Sequence, residues 1–193
     1  MAMALWLDAY LHQCTPMAGY KNMAAIVKVE SGGNPWALGD NTTHGPVSPA
    51  PKSYLEAVAK AKALIARGHN IDIGLTQVNN KHLREFGMTV EQVLEPCTNL
   101  RVGSSILYGF YKKASSKYGE TEKALYHAFS GYNTGSLYAG GAYVQRILNA
   151  AGIPGKYSLV AYEMKNALPR RSYFGGERIL ASHSNTILAF QGK

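Results

Sequence analysis

Long apolar runs, metal-binding motifs and blocks of like charge are all missing from this chain of 193 residues. No segment approaches the roughly 18 to 20 consecutive apolar residues that span a bilayer, so no membrane span is predicted. The six histidines stand singly and the two cysteines form no C-x-x-C pair, a pattern that predicts no metal site. The motifs of serine nucleophiles and of phosphate-binding loops are missing as well.

What is present is an ordinary globular composition with a basic balance. Hydrophobic residues make up 46% and charged residues 17%, which excludes wholesale disorder. Twenty Lys and Arg against twelve Asp and Glu leave a net charge of +8, which favours an anionic partner such as nucleic acid, a lipid surface or an acidic cell-wall polymer. Because the basic residues are dispersed along the chain, a dedicated nucleic-acid arm is not expected.

Hydrophobic periodicity predicts one domain made mainly of helices. The predicted helices cover residues 4–12, 15–30, 53–68, 89–96, 99–117, 121–130 and 141–151. The helix over 15–30 would begin with Thr15 as its N-cap and Pro16 in its first turn. Residues 36–52 are predicted to be loop, and the alternating pattern of Ile71 and Ile73 predicts a short strand or hairpin arm within 70–78.

A glutamate at the end of the second predicted helix is the first candidate for chemistry. Glu30 follows a mostly apolar helix and precedes Ser31-Gly32-Gly33-Asn34-Pro35, which must end that helix. The negative end of the helix dipole and the apolar neighbours would both raise the pKa of Glu30, as a general acid near neutral pH requires. The same pattern fits a surface glutamate near a helix end equally well.

Two further segments gather polar groups where turns are predicted. One is Gly74-Leu75-Thr76-Gln77-Val78-Asn79, and the other is Ser130-Gly131-Tyr132-Asn133-Thr134-Gly135, which would follow a helix. Tyrosine and asparagine suit sugar rings, because they offer a stacking face and planar hydrogen-bond partners. Either segment alone is also ordinary turn chemistry.

The order of the three motifs is more specific than any one of them. E-S-G-G-N-P, then G-L-T-Q-V-N, then G-Y-N-T-G resembles the lysozyme-like lytic transglycosylases, and most closely the VirB1-type branch associated with type IV secretion systems. The flanking stretches 25–29, 70–73 and 97–104 match that branch too. The resemblance covers about 10–152, roughly three quarters of the chain.

The resemblance implies a fold, a substrate and a compartment. The fold would be α+β, predominantly α, like the catalytic domains of goose-type lysozymes and soluble lytic transglycosylases, with a domain over 1–152 and a tail of open role over 153–193. The partners would be peptidoglycan glycan strands and components of a type IV secretion system, with no nucleic acid, no cofactor and a monomeric state. Residues 1–8 lack the basic start of a signal peptide, so either the protein is not exported or this chain is a mature form. The resemblance favours the periplasm or export.

The resemblance also implies a role for each matching position. Glu30 would be the single catalytic acid and base, and Ser31 would orient it or touch the sugar. Tyr132 would bond the Glu30 carboxyl and Asn133 would contact the substrate.

The second motif would supply the cleft wall opposite Glu30. Gln77 and Asn79 would line it. Thr76 stands where the family often has methionine, so the floor of that subsite would differ here.

The two cysteines have two interpretations. Cys14 and Cys97 could be two buried thiols, or one disulfide in an exported protein. Only the family resemblance favours the disulfide.

The number of carboxylates separates the implied mechanism from its alternatives. A retaining hydrolase needs two, about 5 Å apart, whereas a transglycosylase of this family uses one and ends in a 1,6-anhydro sugar. Asp40 and Asp72 are the nearest second carboxylates in sequence, so a lysozyme-type muramidase is the alternative enzyme. A non-catalytic wall-binding scaffold is the other alternative, although such a module gains nothing from a carboxyl at a helix end. A DNA-binding module is disfavoured because no helix-turn-helix or zinc pattern appears.

The net charge predicts a salt-sensitive attachment to the cell wall, whose peptide stems and attached polymers are anionic. Retention on isolated walls should weaken as salt rises past about 0.15 M, where the screening length is near 8 Å. A co-sedimentation series with purified sacculi measures this. Retention that does not change with salt would mean that uncharged contacts to the glycan dominate instead.

Overall fold

A computed structural model describes residues 5–153 of the chain. Its elements are, in chain order, α1 (Leu5–Cys14), α2 (Tyr20–Glu30), β1 (Leu38–Asp40), β2 (Gly45–Pro46), α3 (Tyr54–Ala66), β3 (Ile71–Ile73), β4 (Val78–Asn79), α4 (Lys81–Glu85), α5 (Val90–Leu94), α6 (Pro96–Tyr118), α7 (Glu122–Thr134) and α8 (Gly141–Ala150). The predicted α+β, predominantly helical class is confirmed.

The chain divides into two compact units, Met1–Ser105 and Ile106–Lys193, with α6 running from the first into the second. In the first unit the largest fully buried side chains are Leu11, Met23, Ile26, Ile71, Ile73, Leu75, Leu94 and Leu100. In the second they are Leu107, Leu125, Phe129 and Ile147. The single domain over 1–152 stays a prediction. The predicted tail over 153–193 lies outside the described residues except for Ile153.

A small antiparallel sheet in the first unit has the strand order β2-β1-β3-β4. Ile71 and Ile73 are fully buried and pair with β1, so the predicted hairpin arm within 70–78 is confirmed. The loop predicted over 36–52 is wrong in part, because β1 and β2 lie within it. These strands are only three and two residues long, so their pairing with neighbours rather than their own pattern holds them in the sheet.

The start of α2 differs from the prediction, whereas its end agrees. The helix begins at Tyr20 rather than at Thr15-Pro16. The Thr15 hydroxyl instead donates to the Leu11 carbonyl at 2.6 Å, so this side chain serves the end of α1. Gly19 follows with a φ of 77°, a left-handed conformation that glycine adopts without steric cost. The helix ends at Glu30, as predicted.

The helices α3 and α5 begin at the capping residues that the sequence indicates. Thr89 and Gln92 form the reciprocal capping box of α5, with each side chain bonded to the other residue's backbone N–H. Ser53 caps α3 by accepting from the Glu56 N–H, but the Glu56 carboxylate accepts from the Lys52 N–H instead of completing the box. The short helix α4 was not predicted, and α6 begins at Pro96, three residues before the predicted start.

A disulfide joins the end of α1 to the start of α6. Cys14 and Cys97 have their Cα atoms 5.3 Å apart and are separated by 83 positions in the sequence. This is the pairing that the family resemblance favours over two free thiols. The link fixes the first turn of α6 to a helix that is far away along the chain.

Breaking this disulfide should destabilise the protein. Replacing both cysteines by serine should lower the free energy of unfolding by about 4 to 5 kcal/mol, because the link closes a long loop in the unfolded chain. Urea unfolding of the variant beside the oxidised wild type measures the loss, and wild type reduced by dithiothreitol is the control that should match the variant. Equal midpoints for all three forms would contradict the prediction.

A buried carboxylate holds β1 to the segment before β3. Asp40 is 5% exposed, and its carboxylate lies 2.8 Å from His69 Nδ1 and accepts from the Thr42 N–H at 3.0 Å. Burial alone would raise the pKa of Asp40, but the hydrogen bonds from His69, Thr42 and Thr43, with the charge of His69, hold this pKa at about 2. Asp40 therefore stays ionised in the folded protein through the ordinary pH range.

The depressed pKa predicts an acid-sensitive contribution to stability. The contribution of Asp40 is complete above its unfolded pKa of about 4 and is lost as the pH falls through about 2. The midpoint temperature of thermal unfolding should therefore fall more steeply between pH 5 and pH 2 for wild type than for Asp40→Asn. The asparagine side chain cannot take up this proton. Parallel curves for the two proteins would show that Asp40 is not responsible.

Candidate active site

Glu30 is the last residue of α2 and is half-buried. Ser31 follows as the C-cap, and its N–H donates to the Val27 carbonyl at 3.1 Å. Gly32 and Gly33 then take φ angles of 61° and 88°, which turn the chain sharply away from the helix axis. The E-S-G-G sequence thus leaves the glutamate at the carboxyl end of a helix that ends abruptly.

The Ser31 hydroxyl links the first motif to the second. Ser31 Oγ lies 2.8 Å from the Leu75 carbonyl oxygen and 3.1 Å from that of Val27, and it accepts from the Gly33 N–H at 3.2 Å. Its single hydrogen and one of its two lone pairs are therefore engaged by the backbone. This geometry favours the first of the two predicted roles, the orientation of Glu30, over contact with a sugar.

The second motif forms a tight turn between β3 and β4. Gly74 and Gln77 both have left-handed backbones, with φ of 80° and 48°, and the Gln77 N–H donates to the Gly74 carbonyl at 3.2 Å. The Gln77 side-chain amide donates to the carbonyls of Ala37 and Gly74, at 3.2 and 2.9 Å. Its Oε1 lies over Gly39, where an added Cβ would stand only 2.9 Å from it. Gln77 therefore ties this turn to the segment that leads into β1.

Asn79 lies in a polar row on the sheet face opposite the buried isoleucines. Asn79 Nδ2 donates to Asp72 Oδ1 at 2.7 Å and to Asn70 Oδ1 at 2.5 Å. Asp72 Oδ2 accepts from Asn41 Nδ2 at 2.8 Å, so amide groups bond both oxygens of the Asp72 carboxylate. Side chains alternate between the two faces of a strand, so the same alternation that buries the isoleucines exposes this row.

Thr76, between these residues, faces the other way. It is 0% exposed, and its N–H donates to Asn99 Oδ1 at 2.8 Å. The prediction that Thr76 forms part of a subsite floor is therefore wrong, because a fully buried side chain cannot touch a substrate. The residue that holds it, Asn99, was not assigned a role from the sequence, although it lies in the 97–104 stretch that carries part of the family resemblance.

The third motif lies in the second unit, within the last turn of α7. The helix runs to Thr134, so the predicted end at residue 130 and the predicted turn after it are wrong. Gly131 lies against Phe110 in this last turn, and an added Cβ there would stand 2.3 Å from Phe110 Cδ1, so only glycine allows α7 to pack this closely. Tyr132 is half-buried and Asn133 is exposed. Gly135 then ends the helix with a φ of 73°, donating its N–H to the Gly131 carbonyl at 2.8 Å.

The two carboxylates considered as a second catalytic group both have structural partners. Asp40 is bonded by His69 and Thr42 in the buried position described above. Asp72 is bonded by Asn41 and Asn79 on the opposite face of the sheet. These partners favour a structural role for both aspartates.

The described residues contain neither a cluster of metal ligands nor a helix that could span a membrane. Within 5–153, no three His, Cys, Asp or Glu side chains come close enough to hold a metal ion. Over the same residues, no helix combines the length and the apolar character needed to cross a membrane.

Comparison with known proteins identifies the family of this chain. The Transglycosylase SLT domain family matches residues 12–145. The type IV secretion system protein virB1 of Brucella abortus biovar 1 is 39% identical over 152 residues, covering 75% of this chain and 63% of that protein. Protein virB1 of Agrobacterium fabrum is 33% identical over 144 residues, covering 74% of this chain and 58% of that protein.

The chain spans about three fifths of the length of these curated relatives. No solved structure matches it. The family match nevertheless covers all three motifs, from the helix that carries Glu30 to the last turn of α7. This chain therefore belongs to the Transglycosylase SLT domain family, in its VirB1-type branch.

Proposed function

We propose that this protein is a peptidoglycan lytic transglycosylase that cleaves the β-1,4 bond between N-acetylmuramic acid and N-acetylglucosamine. The observation that carries the proposal is Glu30, placed at the carboxyl end of α2 and fixed there through Ser31. Family membership indicates the class of reaction. The use of a single catalytic carboxylate, Glu30, implies that the reaction ends in an anhydro sugar and not in hydrolysis. The product ends in 1,6-anhydro-N-acetylmuramic acid.

Glu30 acts twice in the proposed mechanism. The protonated Glu30 donates its proton to the glycosidic oxygen as the bond from that oxygen to C1 breaks. The N-acetyl group of the substrate stabilises the cation at C1. The Glu30 carboxylate then takes the proton of the C6 hydroxyl as O6 bonds to C1. Glu30 is thereby regenerated and no water is consumed.

Four further residues bind the glycan in this proposal. Gln77 and Asn79 stand at the start of the polar sheet face, and both amide hydrogens of each are used within the protein. Their amide oxygens are the groups that accept from sugar hydroxyls. Tyr132 offers a ring and a hydroxyl, and Asn133 offers an exposed amide, from the last turn of α7. Ser31 acts on Glu30 and not on the sugar.

The proposed setting is the periplasm or the exported side of the membrane, with the protein acting as a monomer. The names of the virB1 relatives support a role in type IV secretion, where local opening of the wall makes room for the apparatus. The disulfide fits an oxidising compartment. No cofactor enters the proposed reaction, because one carboxyl group donates the proton to the leaving oxygen and then takes up the proton of the C6 hydroxyl.

Replacing Glu30 by glutamine should abolish turnover and leave the fold and wall binding almost intact. Glutamine keeps the shape but cannot donate or accept the catalytic proton. General acid–base help is worth about 10² to 10⁴ in rate, and the loss should reach the upper end because one residue serves both half-steps. Release of muropeptides from purified sacculi measures the rate, and circular dichroism checks the fold.

Asp40→Asn and Asp72→Asn are the matched controls, and each should retain measurable activity per folded molecule. Mass analysis of wild-type digests should show muropeptides one water lighter than hydrolase products. Reducing ends, together with an aspartate variant as inactive as Glu30→Gln, would replace the proposal by the muramidase alternative. Wall binding with no product from wild type would favour the non-catalytic scaffold.

A further inference from the structure

We propose that Asn99 and Thr76 are positioning residues that set the orientation of the Glu30 carboxyl through the Leu75 carbonyl and Ser31. The inference rests on the proposed function of Glu30. All of its members lie in the first unit, and neither Asn99 nor Thr76 is accessible to a substrate. Their effect on the reaction must therefore pass through other residues.

Asn99 is a fully bonded amide at the centre of this network. It is 1% exposed and lies in the first turn of α6. Its Nδ2 donates to the carbonyls of Ile73 and Val93, both at 2.9 Å, and its Oδ1 accepts from the N–H and the hydroxyl of Thr76, both at 2.8 Å. One side chain thus joins the end of β3, the end of α5 and the turn after β3, and it uses every donor and acceptor site it has.

The fit around this network leaves no free space for the turn to move toward α6. A Cβ added at Gly74 would stand 2.4 Å from Asn99 Nδ2. A Cβ added at Gly103 would stand 2.5 Å from Thr76 Oγ1. Both glycines are therefore required for close approach, and the hydrogen bonds hold the turn at that distance.

The turn in turn fixes the end of α2. Leu75 lies between Gly74 and Thr76, so clamping these two residues fixes the direction of the Leu75 carbonyl. That carbonyl accepts a hydrogen bond from the Ser31 hydroxyl at 2.8 Å, and Ser31 is the residue that follows Glu30 in the chain. The network thus runs through hydrogen bonds from α6 to the residue next to the carboxyl that must protonate the substrate.

The far end of the network is anchored as well. Cys97, two residues before Asn99, is linked covalently to Cys14 at the end of α1. Catalysis depends on such anchoring, because a displacement of about 1 Å at a reacting group can cost about a hundredfold in rate.

Thr76→Val tests the network with little change in shape. Valine removes the hydroxyl that donates to Asn99 Oδ1 and keeps the backbone N–H bond. We expect kcat to fall about tenfold or more, by the same geometric argument, with KM changed less than about twofold. Thr76→Ser, which restores the hydroxyl, should recover most of the activity.

Ser104→Ala is the matched control. Ser104 is also fully buried, on α6, and accepts from the Ala18 N–H at 2.9 Å. This bond goes to the segment between α1 and α2, not to the turn after β3. It should lose stability without losing kcat per folded molecule. If Thr76→Val and Ser104→Ala lower activity only in proportion to the folded fraction, the positioning role is refuted.

A double-mutant cycle with Ser31→Ala tests the proposed connection. If the effect of Thr76 reaches Glu30 through Ser31, Thr76→Val should add little to the loss already caused by Ser31→Ala. Fully additive losses in kcat would overturn the connection. Ser31 is only half-buried, so this variant also gives an answer if Thr76→Val does not fold.

Titration of the Glu30 carboxyl separates this inference from the proposed function. Carbon-13 NMR of protein labelled at glutamate carboxyls, with the Glu30 signal assigned by its loss in Glu30→Gln, follows the group directly. The midpoint should shift in Thr76→Val and Ser31→Ala but not in Ser104→Ala. If wild type forms no anhydro product, the proposed function is refuted, but the titration still tests the network. If the midpoint is unmoved in all variants, the network is refuted.

Discussion

The hydrogen bond from the Ser31 hydroxyl to the Leu75 carbonyl is the contact on which the arrangement of the first unit depends. It joins a helix end to a turn more than forty residues later, and each partner is already fixed on its other side. The Val27 carbonyl at the helix end already accepts the Ser31 N–H, so the hydroxyl is available to the Leu75 carbonyl of the turn. This one hydroxyl brings the first two motifs together.

Local rules were sufficient wherever one strong signal acted alone. The stop after Glu30 followed from two glycines and a proline, and the start of α5 followed from its capping box. The buried alternation of Ile71 and Ile73 likewise identified β3. In each case the backbone conformation is set by residues within one turn of the chain.

Where the sequence-based predictions were wrong, a competing contact or backbone conformation had overridden the local signal. Thr15 has the chemistry of an N-cap, yet its hydroxyl bonds backward to the end of α1. The third motif contains turn residues, yet α7 continues through it with Gly131 against Phe110. Thr76 and Gln77 are neighbours of similar polarity, but one is buried and the other is half-buried beside the sheet. The direction of a side chain within a turn depends on φ angles that the residue types alone do not reveal.

The left-handed backbone of Gln77 has a consequence for which residues this position can accept. A non-glycine residue at a φ of 48° carries a conformational cost of about 1 to 3 kcal/mol, and glycine or asparagine would reduce that cost. Glycine has no amide, however, and asparagine is one methylene too short to reach both the Ala37 and Gly74 carbonyls from the same backbone. A substitution that relaxes the backbone would therefore lose the two hydrogen bonds that hold the turn. A substitution that keeps those bonds must keep the strained backbone. Two opposing requirements therefore restrict this position, a backbone that adopts a positive φ easily and a side chain long enough to reach both carbonyls. Glutamine meets the second.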